Sequence, residues 1–136
     1  MTKSEVLIAD LGIFCVGDVI KIENIYYDYD KSNIRPDAAV ELNKLVMIMQ
    51  KYPKMKIELR SHTDSRGSDT YNLILSDKRA KSAAEYIISQ GIDKDNIIGK
   101  GYGETMLINK CKNGVPCTEA EHQVNRRTEF KILSVE

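Results

Sequence analysis

The sequence predicts an α+β domain, a small mixed β-sheet with helices packed on one face. Three observations carry this reading. Segments with strand-like alternation recur along the chain. Two longer segments between them space their apolar residues as helices do. The order strand, helix, strand, helix, strand, loop, strand suits one sheet with helices laid over it.

The first strand is read within Gly17–Asp30, GDVIKIENIYYDYD, where Ile20, Ile22 and Tyr26 share one parity and Lys21, Glu23 and Ile25 the other. The polar turn DYDKSN ends it. Pro36 then stands where a helix accepts its first residue. Ala39, Leu42, Leu45, Val46 and Met49 follow at helical spacing to about Gln50, and Pro53 stops the helix. The second strand covers Met55–Thr63, with Met55, Ile57 and Leu59 opposed to Lys56, Glu58 and Arg60. Ser68 or Asp69 caps a long helix running from about Thr70 to Gln90. Its buried stripe is Ala80, Ala83, Ala84, Ile87 and Ile88, and Gly91 terminates it. Asn96–Glu104 is a short glycine-rich strand and turn. Thr118–Gln123 is a helical turn, and Arg126–Leu133 is a last strand with Phe130 and Ile132 inward.

The chain has 136 residues, enough for one domain with a hydrophobic core. Lys plus Arg and Asp plus Glu are both 20, so the basic excess that favours nucleic-acid binding is missing. No apolar run approaches the roughly 20 residues of a membrane-spanning helix. Val6–Gly17 is the nearest approach to a signal peptide, but Asp10 interrupts it and bulky Phe14 precedes Cys15. Residues 1–16 are therefore read as a linker or leftover chain end, and residues 17–136 as the domain.

Cys111 and Cys117 lie in CKNGVPC, a loop composition with Gly114 and Pro116 between them. Three states are open: a disulfide worth about 2 kcal/mol, free thiols, or a metal site. His122 could supply a third metal ligand, and no fourth is evident. Cys15 is left over, buried or incidental.

The most informative stretch is HTDSRGSDTYNLILSDKR, His62–Arg79. It sets a carboxylate, Asp64, at a strand end and a guanidinium, Arg79, on the helix that follows. Asn72, Leu75 and Arg79 share one helix face, because seven residues rotate by roughly 700° and rise about 10 Å. Arg donates two parallel bonds to a carboxylate, and an ionised Asp accepts from an ammonium. The pair can therefore receive a small zwitterion. An internal ion pair or unrelated surface charges are the competing reading. His62 reads as strand-end packing, and Tyr26, Tyr27 and Tyr29 as strand packing rather than a stacking platform. GKGYGE lacks the GxxxxGK[ST] pattern of a phosphate loop.

Four blocks in this order, IYYDYDKSNIRPDA, IELRSHTDSRGSDTYNLILSDKRAKSAAEYI, GKGYGET and NRRTEF, resemble the OmpA-like C-terminal domain over about Asp18–Leu133. The resemblance implies a β-α-β-α-β-β fold and noncovalent binding of peptidoglycan through the diaminopimelate of its stem peptide. It implies that Asp64 holds the ammonium and Arg79 the carboxylate of that residue, with Asn72 adding a polar contact. Asp28 and Tyr29 would line the pocket, partly through backbone groups, and Arg126 and Arg127 of the NRR block would help close it. Thr63 and Leu75 are further candidates. Arg66 departs from the smaller residue common in the family, and two roles are open for it, reaching over the pocket or pointing to water. The CKNGVPC insertion resembles the version in Bacteroidetes-type members, whose two cysteines are suited to pair.

The implied setting is the periplasm, as part of an outer-membrane-associated protein, with no cofactor, metal or nucleic acid. The competing function is a protein-interaction or structural envelope module without wall binding. An enzyme is not expected. No pair of carboxylates suited to glycoside cleavage and no nucleophile beside a base is legible.

Overall fold

A computed structural model describes residues 4–8, 12–23, 25–28 and 31–135. In chain order its elements are β1 (Glu5–Ile8), β2 (Gly12–Cys15), β3 (Val19–Ile22), α1 (Pro36–Lys51), β4 (Lys56–His62), α2 (Asp69–Ser89), β5 (Ile97–Gly103), α3 (Glu119–Asn125) and β6 (Thr128–Ser134). A 3-10 turn, Lys94–Asn96, leads into β5. The main sheet has the order β3-β6-β4-β5. β4 and β5 run parallel, joined by the α2 crossover, and the other pairs are antiparallel. The mixed sheet and its helices agree with the predicted fold class.

Local chemistry explains the boundaries. Pro36 opens α1, where its missing N–H costs no helical bond. The Ser68 side chain accepts from the Tyr71 N–H and caps α2. Thr118 and Glu121 form a reciprocal capping box on the short α3. The core is built from Ile57 and Leu59 of β4, Phe130 and Ile132 of β6 and Ile20 of β3. Leu42, Leu45 and Met49 of α1 and Ala83, Ala84 and Ile87 of α2 complete it.

α2 lies so close to β5 that glycine is required beneath it. A Cβ on Gly99 would stand 2.5 Å from the Ala80 carbonyl oxygen. One on Gly101 would fall inside the Asp77 backbone nitrogen, and one on Gly103 would reach 3.1 Å from the Leu73 nitrogen. The three glycines alternate along β5, so all face the helix. Two polar ties reinforce the contact: Gly101 N–H donates to Asp77 Oδ1 at 3.1 Å, and Gly103 N–H to Ser76 Oγ at 2.9 Å.

Three expectations are corrected. The strand expected over Gly17–Asp30 ends at Ile22, because its partner β6 begins at Thr128, opposite Ile22. Beyond it Tyr26 is 46% exposed, while the Tyr27 hydroxyl donates to the Arg79 carbonyl at 3.2 Å, so the chain leaves the sheet and crosses to α2. The linker expected over 1–16 includes the hairpin β1–β2, whose Val6 (0% exposed) and Ile8 (3%) belong to the core. Tyr52 pins this hairpin by accepting from Leu7 N–H at 2.8 Å and donating to the Leu7 carbonyl. Cys15 is exposed, not buried.

Cys111 and Cys117 are joined as a disulfide, so neither sulfur is a thiolate that a metal could use. The loop they close sends Asn113 Nδ2 to Asp69 Oδ1 at 3.2 Å, at the first turn of α2.

The glycine contact yields a prediction. Gly101→Ala should lower the unfolding free energy by about 3 kcal/mol or abolish folding, because the added methyl meets backbone rather than a movable side chain. Urea denaturation measures this; a loss under about 0.5 kcal/mol would contradict the packing described.

Candidate functional site

Four segments converge on one cleft of about 760 Å³. The end of β4 delivers His62, Thr63 and Asp64. The cleft-facing side of α2 delivers Asn72, Leu75 and Arg79. The segment after β3 brings Tyr27, and the approach to β6 brings Arg126 and Arg127. Asp64 and Arg79 thus line the same cavity from different elements, as the sequence predicted.

Asp64 is 6% exposed and is held by two guanidinium groups. Arg66 donates its backbone N–H to Oδ1 at 2.9 Å and its Nη2 to Oδ2 at 2.9 Å, and Arg126 Nη1 reaches Oδ2 at 2.5 Å. Both arginines continue to Glu119 at the start of α3, Arg66 at 2.8 Å and Arg126 at 2.5 Å. Arg126 also donates to Gln123. The result is a closed ring of alternating charge: Asp64, Arg66, Glu119, Arg126. Burial opposes ionisation of Asp64, but the hydrogen bonds from Arg66 and Arg126 outweigh it and hold the carboxyl below its usual range. Hydrogen bonds from the same two arginines lower Glu119. Arg66 therefore reaches over the pocket rather than into water, although half its side chain (51%) is exposed.

Arg79 is set from the other side. Its Nε donates to the Lys31 carbonyl at 2.9 Å and its Nη2 to the Asp28 carbonyl at 3.4 Å. Its guanidinium carbon lies 4.7 Å from the centre of the Tyr27 ring, a cation–π contact. Burial pushes the Tyr27 phenol up to about 12, against the pull of the Arg79 charge. Tyr27 is thus a platform for Arg79, not the strand-packing residue expected. Asp28 meets Arg79 through its backbone, while its carboxylate pairs with Arg35 at 3.7 Å. Tyr29 lies outside the described residues.

The remaining candidates shape these groups. Asn72 Nδ2 donates to the Arg66 carbonyl at 2.9 Å and the Asp64 carbonyl at 3.3 Å, so it fixes the loop that presents Asp64. Thr63 Oγ1 donates to the Asp64 carbonyl at 2.9 Å. Leu75 supplies apolar wall. Arg127 is buried and reaches Glu129 at 3.3 Å and the Met106 carbonyl at 2.8 Å, which ties β6 to the loop after β5. His62 is more than packing: its Nε2 lies 2.5 Å from Glu129 Oε1, and its ring stacks on Tyr102. Glu104, beside Asn72, is pushed up to about 6 by burial and then by Asp69.

Sequence reasoning missed Tyr27 as a platform and Arg35, Glu119, Gln123 and Glu104 altogether. Glu119 read only as part of a helix start, and nothing in the spacing links it to Arg66, 53 positions away.

The acid behaviour of Asp64 can be tested. Its folded-state value is depressed, so its stabilisation is present above the unfolded value of about 3.9 and is lost as pH falls through the folded value. Asp64→Asn should cost about 2 kcal/mol at pH 7, and the gap to wild type should narrow steadily below about pH 4. Thermal melts of both proteins from pH 7 to pH 2 check this; a gap that is constant with pH would contradict the assignment.

A profile of the OmpA family matches residues 26–119. The chain is 38% identical over 112 residues to the photosystem I P700 chlorophyll a apoprotein A2 of Gloeobacter violaceus, covering 81% of this chain and 13% of that protein. It is 33% identical over 89 residues to the peptidoglycan-associated lipoprotein of Brucella melitensis, covering 65% of this chain and 53% of that one. The crystal structure of the peptidoglycan-associated lipoprotein from Burkholderia pseudomallei superposes with a TM-score of 0.67 at 22% identity, covering 79% of this chain and 87% of that one. The chain thus spans only part of the length of these two curated relatives, 13% of one and 53% of the other. With the family profile covering most of its length, the chain belongs to the OmpA family.

Proposed function

We propose that this domain binds peptidoglycan noncovalently, gripping the free end of diaminopimelate in the stem peptide, and so anchors an envelope protein to the cell wall. The observation that carries the reading is the cleft that Asp64 and Arg79 line from separate, rigid elements. The names of relatives such as the peptidoglycan-associated lipoproteins support it. The setting that goes with this reading is the periplasm, in an outer-membrane-associated protein.

The chemistry suits a zwitterion. Asp64 stays ionised at neutral pH, so it offers an acceptor to an ammonium. Among the described residues Oδ2 accepts from Arg66 and Arg126, whereas Oδ1 accepts from the Arg66 N–H, which leaves lone-pair capacity on Oδ1. Arg79 supplies the cation for the carboxylate, oriented beforehand by two carbonyls and an aromatic face. Preorganisation of this kind reduces the ordering cost of binding. The reading requires no bond to be made or broken, so the domain acts as a receptor, not an enzyme.

Lysine at the same stem position has the ammonium but no side-chain carboxylate, leaving Arg79 without its ligand partner. Titration calorimetry with diaminopimelate-type and lysine-type stem peptides should therefore show a preference of about tenfold or more for the former. Asp64→Asn and Arg79→Ala should each weaken the diaminopimelate peptide by at least about tenfold while circular dichroism still reports a folded domain. Equal affinity for the two stems would sink this mechanism. Failure of purified sacculi to retain the wild-type domain, with another envelope protein retaining it, would favour the interaction-module reading.

A further inference from the structure

A second hollow, of about 400 Å³, adjoins the first. Tyr71 and Leu75 line both, so the two share a wall. Along α2, Tyr71, Leu75 and Lys78 stand at i, i+4 and i+7, one ridge of the helix. Facing them are Lys31, Ser32 and Asn33. That segment is held in place. Lys31 N–H donates to the Asp28 carbonyl at 3.0 Å, and the Lys31 carbonyl accepts from Arg79 Nε at 2.9 Å.

The lining has a definite character. Among the described residues it carries two ammonium groups, a hydroxyl, a carboxamide and an apolar wall, and none of those lining it bears a carboxylate. Such a surface takes an anionic, partly apolar segment of peptide. Because Tyr71 and Leu75 line both hollows, a ligand gripped at Asp64 and Arg79 that extends past these two side chains enters the second one.

We propose that this hollow is a second subsite, binding the free carboxylate of the stem residue joined to diaminopimelate. The proposal rests on the reading of the first cleft. Lys78 supplies charge from α2 and Lys31 from the facing segment. The subsite would then distinguish stems whose neighbouring carboxylate is free from those in which it is a carboxamide.

The test is titration calorimetry on the whole chain with three probes: free meso-diaminopimelate, γ-D-glutamyl-meso-diaminopimelate with its α-carboxylate free, and the same dipeptide as its α-carboxamide. At low salt the carboxylate dipeptide should bind about fivefold tighter than the carboxamide. The ratio should fall by roughly half or more in Lys78→Gln, and again at high salt in the wild type. Free diaminopimelate should bind wild type and Lys78→Gln alike. Equal affinity of the two dipeptides, or a ratio that Lys78→Gln leaves intact, overturns the subsite while leaving the first cleft standing. Failure of free diaminopimelate and both dipeptides to bind wild type overturns the reading of the first cleft, and the subsite with it.

Discussion

The backbone-to-backbone approach of α2 and β5 is the constraint on which the site depends. Gly99, Gly101 and Gly103 let the helix settle directly on the strand, and Asp77 and Ser76 lock the register by accepting strand N–H groups. A helix resting on side chains could slide or roll by a fraction of an ångström as they repack. A helix resting on main chain has little such freedom. Asn72 and Arg79 sit on this helix, on a different side from the glycine contact. Their positions relative to β4 follow from it, and so does the separation of the two charges that the cleft presents.

Electrostatics then decides what the cleft can hold. Arg66, Arg79, Arg126 and Arg127 line it along with Asp64, and Glu119 and Glu129 balance some of that charge from beside it. A lone carboxylate at the end of a strand would be costly to bury, and two guanidinium groups offset that cost. The same neutralisation weakens the pull of Asp64 on a bare cation. A ligand carrying only an ammonium gains less here than one that also carries carboxylates. The ring through Glu119 serves stability and selectivity together. It keeps Asp64 ionised, and it sets the field against simple cations.

Much of this was legible in the sequence, for identifiable reasons. Pro36, Ser68 and the alternation in β4 and β6 are local signals, and the elements they mark form where those signals stand. The shared face of Asn72 and Arg79 followed from helical geometry alone. Tyr27 was misread because its strand-like alternation continues past Ile22, while its true partner, Arg79, is 52 positions away. The hairpin holding Val6 and Ile8 was hidden by brevity: four residues of alternation carry little information without the core they pack against. The ring at Asp64 was illegible for the same reason. Arg66, Glu119 and Arg126 meet only because the loop after β5 brings α3 back to the end of β4.

That loop gives the disulfide its structural meaning. Cys111 and Cys117 close a segment that lies among contacts to α2, to Arg127 and to the start of α3. Asn113 meets Asp69 at the start of α2, Met106 receives Arg127, and α3 begins at Glu119, two residues after the second cysteine. Restricting this loop in the unfolded chain lowers the entropy lost on ordering it. Glu119 and Gln123 can then be held against the arginines without a core of their own, for α3 is only 7 residues long and buries little besides His122 and Asn125. Asn125 Oδ1 accepts from the Ile108 N–H at 2.9 Å and its Nδ2 donates to Asn109 Oδ1 at 2.8 Å, so this short helix is fastened to the loop by polar bonds rather than by apolar packing. The covalent tie thus acts where hydrophobic burial is thinnest, and the charge ring around Asp64 inherits its rigidity from that tie on one side and from the β5 glycines on the other.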